Sequence, residues 1–195
     1  MTWPGFKQWL VWMLPVLLSA CSSVPVQPGI SYSKQARDRL YGLEQWSFEG
    51  RLAVTSQDDA WSSNLSWRHD PGQEELKLSG PLGQGGAVIR LMAGFVSIDR
   101  GHGQIETSTQ PEAFVSQQLG LSVPLQALRY WVLGLPEPMR AFAETVDGFT
   151  QVGWLITYHQ MQTEVNPPMP RKMTAVHSGI KLKLIVDQWN ITDAK

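Results

Sequence analysis

Four histidines, His69, His102, His159 and His177, are the side chains that acid–base or metal chemistry would most readily use, and their spacing gives them no common task. No pair has the separation of a metal-ligand motif, and each is read as a solvated residue in or beside a turn. A Gly-x-Ser-x-Gly elbow is absent and the carboxylates are scattered. The glycine-rich run around Gly80, Gly83, Gly85 and Gly86 lacks a following Lys-Ser or Lys-Thr and leads into a strand. It therefore lacks the helix N-terminus on which a phosphate would sit. The reading expects no catalytic residue, no metal and no cofactor. A dispersed Ser-His-Asp triad needs no sequence spacing, so a hydrolase stays a second class of hypothesis. What the chain does have is apolar material, with nine Trp and 43% hydrophobic residues against 17% charged.

The single thiol, Cys21, stands at the end of a targeting segment. Lys7 and the amino terminus supply a positive start, Trp9 to Leu18 an apolar run of ten residues, and Leu18-Ser19-Ala20-Cys21 the close. A spanning helix needs about 20 apolar residues, so cleavage is favoured over anchoring by the run itself. The tetrapeptide resembles a bacterial lipobox, in which the cysteine is acylated on sulfur, cleavage occurs before it, and its new amino group is acylated. One cysteine also means no internal disulfide. Residues 1–20 are thus expected to be a lipoprotein signal peptide. The mature chain, which loses one lysine and no acid, carries a net charge of −2, and nothing suggests nucleic acid.

Residues 21–33 contain Pro, Gly and Ser without periodicity and read as a lipidated Cys with a flexible tether. Residues 34–195 are enough for one domain. It opens with a short helix over Lys34 to Glu44. The period then becomes two. Trp46, Phe48, Gly50, Leu52 and Val54 share one face of a strand, and Trp61, Ser63, Leu65 and Trp67 one face of the next. Strands also fit Glu74–Ser79, Ala87–Leu91, Phe95–Arg100 and Gln104–Ser108. Thr109-Gln110-Pro111-Glu112 looks like a capping box opening a helix that ends near Leu119-Gly120. A second helix follows Ser122-Val123-Pro124, with Leu125, Leu128, Val132 and Leu135 on one side and Gly134 and Pro136 as its stop. Strand patterns return at Thr150–His159, with Val152, Trp154, Ile156 and Tyr158 in register, and at Lys172–Val176 and Ile180–Trp189.

Shared parity places Trp46, Phe48, Leu52, Trp61, Leu65, Trp67, Ile89, Leu91, Trp154 and Leu184 on one concave, ligand-accessible surface. The helical stripe must cover something, and the sheet is the large apolar surface available. Leu82 stands apart, between Gly80-Pro81 and Gly83, where Pro cannot donate to a ladder and Gly favours turns. Two readings stay open for it, a loop anchor tucked onto the core or a residue pushed towards a partner or a membrane.

Leu18-Ser19-Ala20-Cys21, Gly80-Pro81-Leu82-Gly83 between two strands, Leu128-Arg129-Tyr130-Trp131-Val132-Leu133-Gly134-Leu135-Pro136, Pro168-Met169-Pro170 and the closing Gly179 to Leu184 with Trp189 occur in this order. Over essentially its whole length the chain resembles the outer-membrane lipoprotein receptor family LolB. The resemblance implies a mostly β protein with a helical lid (α+β), an incomplete antiparallel β-barrel of about eleven strands enclosing an apolar cavity covered by short helices. The strand pattern alone gives nine or ten. It also implies a function: acylated lipoproteins are taken from a periplasmic LolA-type carrier and placed in outer-membrane phospholipid, without ATP. The acyl-chain cavity would comprise the ten residues above with Leu128 and Trp131. Gly80, Pro81, Leu82 and Gly83 would form the membrane-insertion loop, and Cys21 would anchor a monomer in the periplasmic leaflet of the outer membrane. Ser22 is similar to the family's outer-membrane sorting signal. The other classes are a lipid-anchored scaffold with a filled core and, behind it, a lipoprotein-bound hydrolase.

Overall fold

The computed structural model describes residues 32–80, 86–101, 103–119 and 122–192. The signal segment, Cys21 and most of the tether, Pro81, Leu82 and Gly83, and His102 lie outside them. A short 3-10 helix over Gln35–Gly42 stands where the first helix is expected, and its Arg37 is buried. The strands are β1 (Gln45–Thr55), β2 (Ala60–Asp70), β3 (Gln73–Ser79), β4 (Gly86–Met92), β5 (Phe95–Asp99), β6 (Ile105–Ser108), β7 (Phe142–Thr145), β8 (Gly148–Gln151), β9 (Trp154–Gln162), β10 (Met169–His177) and β11 (Ile180–Thr192). Helices α1 (Pro111–Leu119) and α2 (Leu125–Trp131) lie between β6 and β7.

All eleven strands form one antiparallel sheet in the order β6-β5-β4-β3-β2-β1-β11-β10-β9-β8-β7. The edges β6 and β7 do not pair, so the barrel is incomplete. β1 and β11 are the seam between two arms, six strands on one side and five on the other, and their register shifts between Glu49 and Gly50. Gly50 is required there, because a Cβ would run into the carbonyl of Ile185.

Antiparallel pairing sorts the connections between two ends. β1 and β2, β5 and β6, β8 and β9, and β10 and β11 are joined at one end, where β3 also ends at Ser79 and β4 begins opposite it at Gly86. The connections at 71–72 and 93–94 lie at the other end, and the turn at 146–147 closes the short β7–β8 hairpin beside Tyr158, partway along β9.

Two elements differ from the sequence expectation. The pattern over Thr150–His159 is not one strand. Val152 and Gly153 both take left-handed backbone and turn β8 into β9, so Val152 is exposed and out of register with Trp154, Ile156 and Tyr158. The edge strand β7 is unannounced in the pattern, since Phe142-Ala143-Glu144-Thr145 is too short to show a period.

Candidate functional site

The concave face of the sheet is roofed by the two helices, and a cavity lies between them. Its floor is Leu52 and Val54 of β1, Trp61, Leu65 and Trp67 of β2, Leu76 and Leu78 of β3, Ile89 and Leu91 of β4, and Met173, Ala175, Leu182 and Leu184 of β10 and β11. Its roof is Val115, Val123, Leu125, Leu128 and Val132. Pairing builds the floor in rows: Ala175 faces Leu182, Leu182 faces Val54, and Val54 faces Trp61 across three ladders. Side chains two apart share a face, so each row repeats along the strands and no polar side chain enters the lining.

The cavity is small, about 70 Å³, against about 300 Å³ or more for ordinary small-molecule pockets. In this conformation the helices sit down on the sheet. Beside the cavity, and sharing Trp67, Leu76, Leu91 and Leu125 with it, opens a groove of about 550 Å³ with a polar rim of Gln73, Glu74, Gln110, Glu112, Gln126 and Arg129. Glu74 organises that rim. Its Oε2 accepts from Trp67 Nε1 at 2.7 Å, and its Oε1 lies 2.6 Å from His69 Nδ1 and 3.5 Å from Arg129 Nη1 on α2. Arg129 also donates to the Tyr130 hydroxyl at 2.7 Å.

Of the twelve residues expected to line the cavity, the structure brings together Leu52, Trp61, Leu65, Trp67, Ile89, Leu91, Leu128 and Leu184. Trp46, Phe48, Trp131 and Trp154 are on the expected side of the protein but pack into its ends. Trp46 and Phe48 lie near-parallel at 6.1 Å, with Trp189 5.9 Å from the first and 4.9 Å from the second, and close the sheet interior at the end where β1 begins. Trp131 meets Trp154 at 5.9 Å and donates its indole N–H to Gln151 Oε1 at 2.9 Å. Parity predicts a face and says nothing of position along the strand, which is why Trp46, Phe48 and Trp154 were expected in the lining; Trp131, expected there from the resemblance, ends α2. The same parity could have found Val54, Leu76, Leu78 and Leu182, and the helical stripe Leu125 and Val132.

Buried polar groups fasten α2 at its C-terminal end. Tyr158 donates to the carbonyl of Trp131 at 2.7 Å, and Arg37 donates through Nε to that of Leu133 at 2.9 Å and through Nη1 to that of Pro168. Burial pulls the Arg37 pKa down to about 10, with the Tyr158 and Tyr32 hydroxyls opposing that shift. Gly134 completes the stop in left-handed backbone (φ 81°), and a Cβ there would collide with the Arg37 guanidinium. Among the described residues no buried side-chain polar atom lacks a hydrogen-bond partner.

His159 lies within β9, its ring 3.0 Å from the Thr174 hydroxyl, rather than in a turn. His177 ends β10 against the Gly153 carbonyl at 2.9 Å, and His69 belongs to the Glu74 cluster. Among the described residues no three His, Cys, Asp or Glu converge as metal ligands, and no helix is long and apolar enough to cross a membrane.

Known proteins were compared with this chain. A relative from Chromohalobacter salexigens, "Outer-membrane lipoprotein LolB", is 32% identical over 195 aligned positions, covering 95% of this chain and 91% of the relative. One of the same name from Marinomonas sp. is 30% identical, covering 90% and 93%. Among solved structures, a LolA superfamily protein from Nitrosomonas europaea overlaps 83% of this chain and 93% of its own, with a TM-score of 0.49 at 7% identity. The model of the family described as "Outer membrane lipoprotein LolB" matches residues 44–189, from the residue before β1 to Trp189 near the end of β11, and the chain therefore belongs to the LolB family.

Proposed function

We propose that this chain is an outer-membrane receptor that accepts acylated lipoproteins from a LolA-type periplasmic carrier and releases them into outer-membrane phospholipid. The observation that carries the reading is the wholly apolar cavity, floored by the sheet and roofed by helices, in a chain whose relatives are named outer-membrane lipoproteins. Each buried methylene is worth about 0.8 kcal/mol, so taking two or three acyl chains through water would cost tens of kcal/mol. A continuous apolar lining from carrier to bilayer removes that barrier. No nucleotide motif is present in the sequence, and transfer is driven down a gradient of affinity. Residues 1–20 are the signal, Cys21 is the lipid anchor in the periplasmic leaflet, residues 21–33 are the tether, and Leu82 with Gly80, Pro81 and Gly83 is the loop that meets the bilayer.

The small cavity gives the reading a mechanical consequence. About 70 Å³ cannot admit an acyl chain, so α1 and α2 must lift from the sheet as cargo enters. The groove rimmed by Glu74 and Arg129 is the place where the two apolar surfaces already separate.

The same observation favours a second reading, a scaffold lipoprotein with a filled core. A fatty acid bearing a fluorescent acceptor distinguishes the two. Entry into the cavity should quench Trp61 and Trp67 emission saturably, and Leu128→Trp, which fills the roof, should weaken binding about tenfold or more. Unquenched emission at saturating fatty acid would leave the scaffold reading and remove the receptor one.

A further inference from the structure

We infer that Met139, Phe142 and Val152 form a second lipid-contact corner of the domain, one that lies against the phospholipid bilayer while the chain is anchored. The inference rests on the reading of Cys21 as the anchor, and it adds a contact surface distinct from the loop of Leu82.

The exposures come first. Met139 is fully exposed, Val152 is 44% and Phe142 39% exposed. These residues are neighbours, because Phe142 pairs with Gln151 immediately before Val152. Leu155 and Val176, exposed and paired with each other, lie on the outer face just past the β8–β9 turn.

The backbone gives a second, independent reason. Met139 and Val152 hold φ of 64° and 53°, in the left-handed region that turns normally reserve for Gly, Asn or Asp. Of the eight other left-handed positions among the described residues, seven are glycine and one is Ser178, a small polar turn residue. At Val152-Gly153 the turn between β8 and β9 has left-handed backbone at both residues, the place where Asn-Gly is the favoured pair. A β-branched apolar residue there is strained and exposed at once, a combination that costs stability and is kept where the surface is used.

The corner is also held rigid. Gln151 is buried and ties the loop before β7 to α2: Oε1 accepts from Glu137 N at 2.8 Å as well as from the Trp131 indole, and Nε2 donates to the carbonyls of Glu137 at 3.0 Å and Arg140 at 3.2 Å. Met139 is therefore presented outward by a braced loop.

Position identifies the partner as a lipid surface. The corner is at the end of the sheet where β3 ends at Ser79 and β4 begins at Gly86. The tether joins the domain beside it: Tyr32 donates to the Gly134 carbonyl at 3.1 Å, and the Lys34 ammonium lies 5.6 Å over the Phe142 ring. Ten residues lie between Cys21 and Tyr32, eleven steps that reach at most about 40 Å, so an anchored chain holds Tyr32, beside this corner, within that distance of the bilayer. Asp58 and Asp59 in the β1–β2 turn make the middle of that end acidic, so the contact is apolar and should persist at high salt.

The test uses the full lipidated chain in phosphatidylethanolamine and phosphatidylglycerol vesicles containing brominated lipid. With Cys21 acylated, Met139→Cys or Val152→Cys supplies one free thiol for an environment-sensitive fluorophore. Val146→Cys, 91% exposed in the turn at the other end of the β7–β8 hairpin, is the control. Probes at 139 and 152 should shift to the blue and be quenched by bromolipid at both low and high salt, and the probe at 146 should not. Val152→Asn should raise the melting temperature by relieving the turn, yet lower lipoprotein transfer to vesicles about tenfold, the loss expected for one buried valine. Equal quenching at 139 and 146, transfer by Val152→Asn at the unsubstituted rate, or a blue shift that grows with protein concentration without vesicles each overturns the corner. Label entering at Cys21 overturns the anchor reading, and the corner with it.

Discussion

Whether Leu82 is an exposed tip or a tucked anchor decides what a negative charge does at that position. We predict the tip: Leu82→Glu should shift stability by only about 0.5 kcal/mol, as surface substitutions do, while transfer to liposomes falls sharply because a carboxylate resists the apolar side of the bilayer. A tucked leucine would give the opposite pair, a loss of several kcal/mol from a buried unpaired charge together with transfer that fails only because the fold does. Thermal unfolding and transfer, measured on the same preparation, separate them. At this scale the sequence was most legible where strands are long and regular. Leu52, Leu65, Ile89 and Leu184 could be assigned to the cavity from alternation alone. Trp46 and Phe48 obey the same alternation and sit in a closed aromatic stack, because the distance of a residue from the strand's end is set by register with its neighbours.

Helix α2 is fastened unequally along its length. Its C-terminal end is held by Tyr158, Gln151 and Arg37, whereas towards its N-terminus Leu125 and Leu128 lie over the cavity, and Arg129 to Glu74 at 3.5 Å is the ion pair binding the helix to the rim. Tyr158→Phe should remove about 1 kcal/mol of stability by deleting the bond to Trp131. It should also change the alkaline limb. Burial holds the Tyr158 hydroxyl well above the usual tyrosine value of about 10, outweighing the attraction of Arg37, and it raises Tyr32 as well. Below pH 10 folded and unfolded states are both protonated and stability is full. Above it the unfolded chain ionises while the folded one resists, so stability falls as pH rises. Denaturant unfolding between pH 8 and 11 should show that fall in the parent and a shallower one in Tyr158→Phe; identical slopes would remove the assignment. Elements of this kind were partly legible. Pro111 and Gly134 announced where helices start and stop, while β7 is too short to show a period and the β8–β9 turn was hidden because Val152 stands where a turn residue was expected to show itself.

For the molecule as a whole, the anchor and the domain are separable. Cys21→Ala should leave an uncleaved or mislocalised chain whose domain still folds, since Cys21 precedes the residues that form the sheet and lid; processing and outer-membrane fractionation unchanged from the parent would count against acylation at Cys21. The barrel's opening has its own protection, because the unpaired edges β6 and β7 are only four residues each and offer little ladder to a second chain.

The seam between β1 and β11 carries a consequence in time. It joins Gln45 to Thr192 and Thr55 to Lys181, contacts separated by more than a hundred residues of chain. Neither arm can complete the cavity floor alone, since Val54 and Leu182, and Leu52 and Leu184, face each other across that ladder. A chain that emerges N-terminus first must therefore wait, with its six-strand arm unpartnered and the apolar face uncovered, until residues 180–192 arrive. The surface later suited to holding another protein's acyl chains is, during that interval, one that itself needs shielding.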